Sequence, residues 1–113
     1  VKEKDQDTYR KYRILAYTAG QYRAYQNLVN QKIYDMALDS LISTIGRCEE
    51  YSSDAKELGC EGEISDIQAK AEEALEAFKI DTEKALEVYD MKDRTAYSKE
   101  IYQILDDAGL SEE

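Results

Sequence analysis

Cys48 and Cys60 carry the most versatile chemistry in this sequence, because they are its only cysteines and histidine is absent. Two thiolates do not complete a structural zinc site, which takes four ligands. Without histidine, the sequence also lacks the commonest general base and nitrogen ligand. Zinc chemistry within one chain is therefore not expected.

The two cysteines allow three arrangements: an intramolecular disulfide, two buried thiols or two surface thiols. On one straight helix they would lie about 18 Å apart at 1.5 Å per residue, which is too far for a disulfide. A bridge therefore requires the chain to turn near Ser52 and Ser53, and it would indicate an oxidising, extracytoplasmic compartment. All three arrangements stay open on the sequence alone.

The acidic residues follow no pattern typical of catalysis or metal binding. Carboxylates such as Glu72 and Glu73 are sequence neighbours, and neighbours on a helix point in different directions. Residues 90–93 lack the alternating oxygen ligands and central glycine of a calcium loop. Motifs of phosphate-binding loops, serine hydrolases and zinc proteases are absent. The sequence therefore predicts no enzyme, with no catalytic, cofactor-binding or metal-binding residues.

Tyrosine is the dominant aromatic residue, with ten Tyr against one Phe and no Trp. Tyrosine buries its ring while its hydroxyl stays hydrated, so a row of tyrosines is typical of a protein- or peptide-binding surface. The alternative is that a thin bundle uses tyrosine at the margins of its core. The candidates for a partner surface lie on the first predicted helix and are Tyr9, Tyr12, Tyr22 and Tyr25.

The charge of the chain is unevenly distributed. Its net charge is −10 and its pI about 4.5, which disfavours a nucleic-acid partner because phosphate binding needs clustered Lys and Arg. Residues 1–32 nevertheless carry seven basic and three acidic side chains. Arg10, Lys11, Arg13 and Arg23 either face an anionic lipid or acidic partner, or form a solvated face that offsets the acidic helices.

The composition is that of an all-α protein, since there is no proline and only five glycines. We expect residues 1–113 to form one domain, a compact bundle or array of four to five mostly antiparallel helices. No run approaches the ~18 apolar residues of a membrane span. Because the sequence begins at Val1, we expect a fragment or processed part of a longer protein, and a membrane anchor upstream of this chain is compatible with that.

A first helix is predicted over residues 7–29, capped by Asp5 or Asp7, with Gly20 inside it at a packing contact. Its apolar face is expected to comprise Tyr9, Tyr12, Leu15, Ala16, Ala19, Tyr22, Gln26 and Val29. Residues 30–32 are expected to form a turn before a second helix that starts at Ile33. The alternative is one unbroken helix to about Tyr51, because neither proline nor glycine forces a stop.

The second helix is expected to weaken at residues 52–54, with a short extra turn at 54–58, an end at Gly59 and a loop at residues 59–63. Ser65 and Gln68 match a capping box that opens a third helix ending near Lys79. Further signals predict a cap at Asp81 or Thr82 for a fourth helix, a cap at Asp93 for a fifth, and a Schellman ending at Gly109 and Leu110.

Part of the sequence resembles a tetratricopeptide helix pair, whose second helix opens with the pattern K-x-Y-x-x-A-L-x-x-L. The matching residues are Lys32, Tyr34, Ala37, Leu38 and Leu41. The resemblance covers residues 21–45, about a quarter of the chain, and Tyr25 and Thr44 stand where the family has small residues. It implies an antiparallel helical array that binds peptides or proteins, without enzymatic activity.

Together these features predict a noncatalytic protein- or peptide-interaction module, as the extracytoplasmic part of an anchored protein. The alternative is a structural or oligomerisation domain, in which the long first helix pairs with a second copy of the chain. The partner and the oligomeric state do not follow from the sequence.

Overall fold

The computed structural model describes residues 2–111, with the side chains of α1 placed from Asp5 onward. These residues form five α-helices and one 3-10 helix, and none of them is in a strand. The α-helices are α1 Lys2–Asn30, α2 Tyr34–Leu58, α3 Glu61–Ala74, α4 Thr82–Tyr89 and α5 Arg94–Asp107, and the 3-10 helix Leu75–Phe78 continues from α3. The predicted all-α bundle of four to five helices is confirmed. No helix in this part of the chain is long and apolar enough to cross a membrane.

The first two helices form an antiparallel hairpin with a tight turn at residues 31–33. Lys32 adopts the left-handed conformation, with φ of 62°. The amide of Ile33 donates to the Leu28 carbonyl at 2.9 Å, which closes a Schellman ending. Arg10 in α1 lies 3.9 Å from Asp54 near the end of α2, so the two helices run in opposite directions. The predicted turn is confirmed, and the alternative of one unbroken helix is wrong.

The start of α1 differs from the prediction. The helix already includes Lys2, so Asp5 and Asp7 lie inside it and neither caps it. Residues 2–7 contain no glycine, proline or β-branched residue that would oppose a helix. Asp7 also lies 3.6 Å from Arg10, one turn later, a spacing that supports the helix.

The predicted weakening of the second helix is wrong, because α2 runs without a break through Ser52 and Ser53 to Leu58. The Ser52 hydroxyl donates to the Glu49 carbonyl at 3.0 Å, so this serine is accommodated inside a helix. The predicted end at Gly59 is confirmed. Gly59 has φ of 76°, and the Cys60 amide donates to the Ala55 carbonyl at 2.9 Å.

The predicted loop at residues 59–63 and the capping box at Ser65 are also wrong. The chain reverses within two residues and α3 begins at Glu61, so Ser65 is exposed in the helix interior. Gln68 donates to the Glu72 carboxylate at 3.1 Å instead of reaching back to a cap. An earlier start keeps Ile64 on a helical turn that buries it to 2% exposure. The predicted end near Lys79 is confirmed, since Lys79 follows the 3-10 helix with φ of 57°.

The last two helices start as the sequence predicts, and the last one also ends as predicted. The Asp81 side chain accepts a hydrogen bond from the Lys84 amide at 2.8 Å, and Asp93 accepts one from the Thr95 amide at 2.9 Å. Gly109 has φ of 75°, and the Leu110 amide donates to the Leu105 carbonyl in the last turn of α5, which completes a Schellman ending.

Helix α2 lies at the centre of the core and contributes residues to both apolar clusters of the described chain. The larger cluster gathers residues of all five α-helices and of the 3-10 helix around Leu38, Leu41, Ile45 and Phe78. The smaller cluster joins Ile14, Cys48, Ala55, Cys60 and Ile64 from α1, α2 and α3. The arginine- and tyrosine-bearing ends of α1 and α2 lie beside this smaller cluster.

The buried face of α1 is only partly the predicted one. Ile14, Thr18 and Tyr25 are buried, while Tyr9 and Tyr12 are exposed. Of the predicted residues, Leu15, Tyr22 and Val29 are partly buried against the core. Thr18 is accommodated in the core because its hydroxyl donates to the Ile14 carbonyl at 2.9 Å.

The predicted packing contact at Gly20 is wrong. Gly20 lies on the exposed side of α1, and a Cβ there would meet nothing within 4 Å. A glycine on an open helix face is less stable in the helix than alanine would be, and here no neighbouring helix packs closely against it.

Candidate interaction surface

The four tyrosines predicted as a partner surface fall into two groups. Tyr9 and Tyr12 are 64% and 67% exposed. Tyr25 is buried, with its ring edge-on to Phe78 at 6.4 Å, and Tyr22 lies 5.8 Å from it. Burial raises the pKa of the Tyr25 hydroxyl. Tyr9 and Tyr12 are therefore accessible to a partner, whereas Tyr25 belongs to the core and Tyr22 is partly exposed at its margin.

A second set of residues joins Tyr9 in one continuous surface. Tyr9, Arg13 and Tyr17 are spaced four residues apart on α1, so their side chains lie along one face. Arg47 and Tyr51 have the same spacing on α2. We call these five residues the arginine–tyrosine surface, and Tyr12 lies at its edge, three residues from Tyr9 on α1.

Tyr17 is the centre of the arginine–tyrosine surface. The guanidinium carbons of Arg13 and Arg47 each lie 5.5 Å from the centre of its ring, within the range of a cation–π interaction. Arg13 also lies 5.8 Å from the Tyr9 ring. Tyr51 stacks on Tyr17 with 6.4 Å between ring centres and 24° between planes. A hydrogen bond with Tyr17 raises the pKa of the Arg13 guanidinium, and arginine is charged at neutral pH in any case.

The two arginines at Tyr17 are not matched by carboxylates. Within the described chain, neither Arg13 nor Arg47 forms an ion pair. Arg10 is instead the residue that Asp54 and Glu57 approach, each at 3.9 Å. In a protein with a net charge of −10, two arginines that contact aromatic rings and no carboxylate stand out from the excess of acidic side chains.

A small hollow opens beside the same residues. It has a volume of about 150 Å³ and is lined by Arg10, Arg13, Ile14, Tyr17, Tyr51 and Asp54. Buried Ile14 lines the hollow together with two tyrosines and two arginines, so apolar and cationic groups meet there.

The cysteines are free and both are buried, which is the second of the three arrangements considered. A bridge required a turn near Ser52, and α2 continues past that position. Burial, with a smaller contribution from Glu72, raises the pKa of the Cys48 thiol to about 12. A neutral, inaccessible thiol is a poor nucleophile and a poor metal ligand.

Carboxylates on α2 accept hydrogen bonds from tyrosines of the later helices. Tyr89 of α4 donates to Glu50 at 3.0 Å, and Tyr97 of α5 donates to Asp39. Burial, and then the hydrogen bond to Asp39, raises the pKa of Tyr97. Among residues 2–111, no group of three or more Cys, Asp or Glu side chains is arranged to hold a metal ion.

Sequence reasoning missed Tyr17, Arg47 and Tyr51 as parts of one surface. The spacing of Tyr9, Arg13 and Tyr17 was visible as a helical stripe. What was not visible is that Arg47 and Tyr51 pack against the same ring, because this depends on the register between α1 and α2.

Comparisons with protein-family models, with curated proteins and with solved structures find no match to this chain. Its function must therefore be argued from the surface itself.

Proposed function

We propose that the chain is a noncatalytic protein- or peptide-interaction module and that partners bind to the arginine–tyrosine surface. The observation that carries the proposal is the exposure of Tyr9 and Tyr12 next to two arginines without carboxylate partners. Tyrosine and arginine are enriched among the residues that dominate binding energies at protein interfaces.

The hairpin makes this surface suitable for binding because its side chains are already ordered. Tyr17 contacts Arg13, Arg47 and Tyr51, so little rotamer freedom remains to be lost when a partner binds. The resemblance to a tetratricopeptide helix pair forms part of the same proposal, since it also implies a helical array that binds peptides.

A peptide-display selection on the folded domain, followed by affinity measurement for the selected peptides, tests the proposal. The double substitution Tyr9→Ala and Tyr12→Ala should weaken binding at least tenfold, the loss of about 1.4 kcal/mol expected for hot-spot tyrosines. Tyr102→Ala is the matched control, because Tyr102 is 59% exposed on α5, away from this surface. Equal effects of the two changes, or no selected peptide, would refute the proposal.

The alternative is a structural or oligomerisation domain. Of the five large apolar side chains that the described chain leaves exposed, Tyr9, Tyr12 and Tyr17 lie on α1, where a second copy would cover them. Sedimentation across a concentration series separates the two proposals. A dimer that dissociates in the Tyr9→Ala, Tyr12→Ala variant supports self-association, and a monomer at all concentrations excludes it.

A further inference from the structure

We propose that the arginine–tyrosine surface binds an acidic peptide segment of a partner protein, with the guanidinium groups of Arg13 and Arg47 contacting its carboxylates. This inference rests on the proposed interaction function and adds the chemistry of the partner.

The ring contacts of Arg13 support carboxylate binding. A guanidinium in contact with aromatic rings keeps its planar set of N–H donors and has less freedom to rotate. The guanidinium carbon of Arg13 lies 5.8 Å from the centre of the Tyr9 ring and 5.5 Å from that of the Tyr17 ring, so both rings restrict it. A fixed planar fork suits bidentate contact with a carboxylate, and less rotamer entropy is lost when the contact forms.

The neighbouring carboxylates do not compete for these arginines. Glu50 accepts a hydrogen bond from Tyr89 at 3.0 Å, and Asp54 and Glu57 approach Arg10 instead. Arg13 forms no ion pair in the described chain, so its charge remains available to an external anion. Arg47 forms none either, although it also approaches Tyr89, which donates to Glu50.

The net charge of −10 does not prevent this binding. At physiological ionic strength, exposed charges separated by more than about 8 Å are largely screened. Carboxylates beyond this distance therefore act only weakly on an acidic segment at Arg13. Asp54, the carboxylate that lines the hollow, lies 3.9 Å from Arg10, which offsets its charge.

The hollow beside Arg13 further restricts which partner segments fit the surface. Its lining by Ile14, Tyr17 and Tyr51 provides apolar contact next to the cations. A segment with carboxylates around one apolar side chain thus fits both parts of the surface.

The test is a fluorescence anisotropy titration of the whole domain with a short labelled peptide of glutamate and glycine around one leucine. Arg13→Gln should weaken binding of this probe at least about tenfold, because it removes a close charge pair. Arg23→Gln is the matched control. It removes the same charge from an exposed position of the same helix and should change the affinity less than about twofold. Circular dichroism of both variants checks that the fold is retained.

Three further measurements separate local contact from general attraction. Arg13→Lys keeps the charge but lacks the planar fork, so we expect it to recover only part of the affinity. A probe with glutamine in place of glutamate should not bind, and binding of the acidic probe should weaken as salt rises.

The outcomes distinguish this inference from the proposed function. If Arg13→Gln and Arg23→Gln behave alike, or if the glutamine probe binds equally well, the acidic partner is wrong. Should selected peptides depend on Tyr9 and Tyr12 but not on Arg13, the interaction function stands and only the acidic partner fails. Binding of a phosphoserine probe without binding of the glutamate probe would also overturn the inference, in favour of a phosphorylated partner.

Discussion

The ring of Tyr89 on α4 lies directly against Gly46 on α2, in the space that a side chain at that position would occupy. This contact brings α4 close to α2 and places the Tyr89 hydroxyl 3.0 Å from Glu50. Burial, and then the hydrogen bond to Glu50, raises the pKa of Tyr89. Arg47, which follows Gly46 on α2, also approaches Tyr89. The contact between Gly46 and Tyr89 therefore adjoins the arginine–tyrosine surface.

We therefore expect Gly46→Ala to destabilise the fold. The added methyl group would overlap the Tyr89 ring, and moving that ring also disturbs its hydrogen bond to Glu50. Overpacking of this kind costs about 1–3 kcal/mol, even though alanine favours a helix. Urea unfolding followed by circular dichroism measures the loss of free energy of unfolding.

Gly20→Ala provides the control in the opposite direction. Gly20 is also inside a helix, but a Cβ there meets nothing within 4 Å. The substitution should therefore stabilise the protein by up to about 1 kcal/mol through helix propensity alone. Stabilisation by both substitutions would contradict the contact between Gly46 and Tyr89.

Lys79 allows a test of the backbone conformation at a helix end. It ends the 3-10 helix in the left-handed conformation, with φ of 57°. A residue with a Cβ is strained there by about 1–2 kcal/mol, and glycine is not. After the entropy of glycine in the unfolded chain is subtracted, Lys79→Gly should raise the free energy of unfolding by roughly 0.5–1 kcal/mol. Thermal unfolding checks this, with Lys79→Ala as a control that retains the strain. No gain over the alanine variant would argue against the left-handed conformation.

The same feature explains which helix ends could be predicted from the sequence. Gly59 and Gly109 marked two ends correctly, because glycine favours the left-handed conformation. Lys32 adopts this conformation without any glycine signal, so the unbroken helix stayed open as an alternative. Lysine does not indicate a left-handed helix end, so the ending at Lys32 could not be predicted from its residue type.

The errors at Ser52 and Ser65 have one common cause, which Thr18 also illustrates. Each hydroxyl residue is typical of a cap or a polar face, but helix packing decides where such residues lie. Ser52 and Thr18 return their hydroxyls to carbonyls one turn earlier and stay in the helix. The fold class followed from composition, whereas the face of α1 and the arginine–tyrosine surface depended on tertiary register.

The buried thiol of Cys48 should be protected from alkylation in the folded protein. Both cysteines are buried and free, so iodoacetamide should modify them only when the chain unfolds. Intact-mass measurement with and without urea checks this at neutral pH. Rapid modification of Cys48 without urea would contradict its burial.

The same thiol gives a pH dependence with a definite sign. The pKa of Cys48 rises from 9.0 to about 12 on folding, so the folded protein retains a proton that the unfolded chain loses. Its contribution to stability is complete below pH 9 and is lost as pH rises toward 12, at up to about 1.4 kcal/mol per pH unit. Around pH 9, where tyrosines in the unfolded chain are still mostly protonated because their pKa is about 10, Cys48→Ala should flatten the decline. An unchanged slope would show that another group causes it.

The hydrogen bond from Tyr97 to Asp39 should hold α5 against α2 more strongly than the bond from Tyr102 to Asp35. Tyr97 is half-buried, whereas Tyr102 is exposed and its bond is long, at 3.4 Å. Tyr97→Phe should therefore cost about 1–2 kcal/mol, the range for a hydrogen bond to a charged acceptor, and Tyr102→Phe should stay within about 0.5 kcal/mol. Denaturant unfolding of the two variants at neutral pH compares them directly. Each substitution removes one tyrosine hydroxyl from α5. Equal losses in free energy of unfolding would therefore mean that burial at Tyr97 does not strengthen its hydrogen bond.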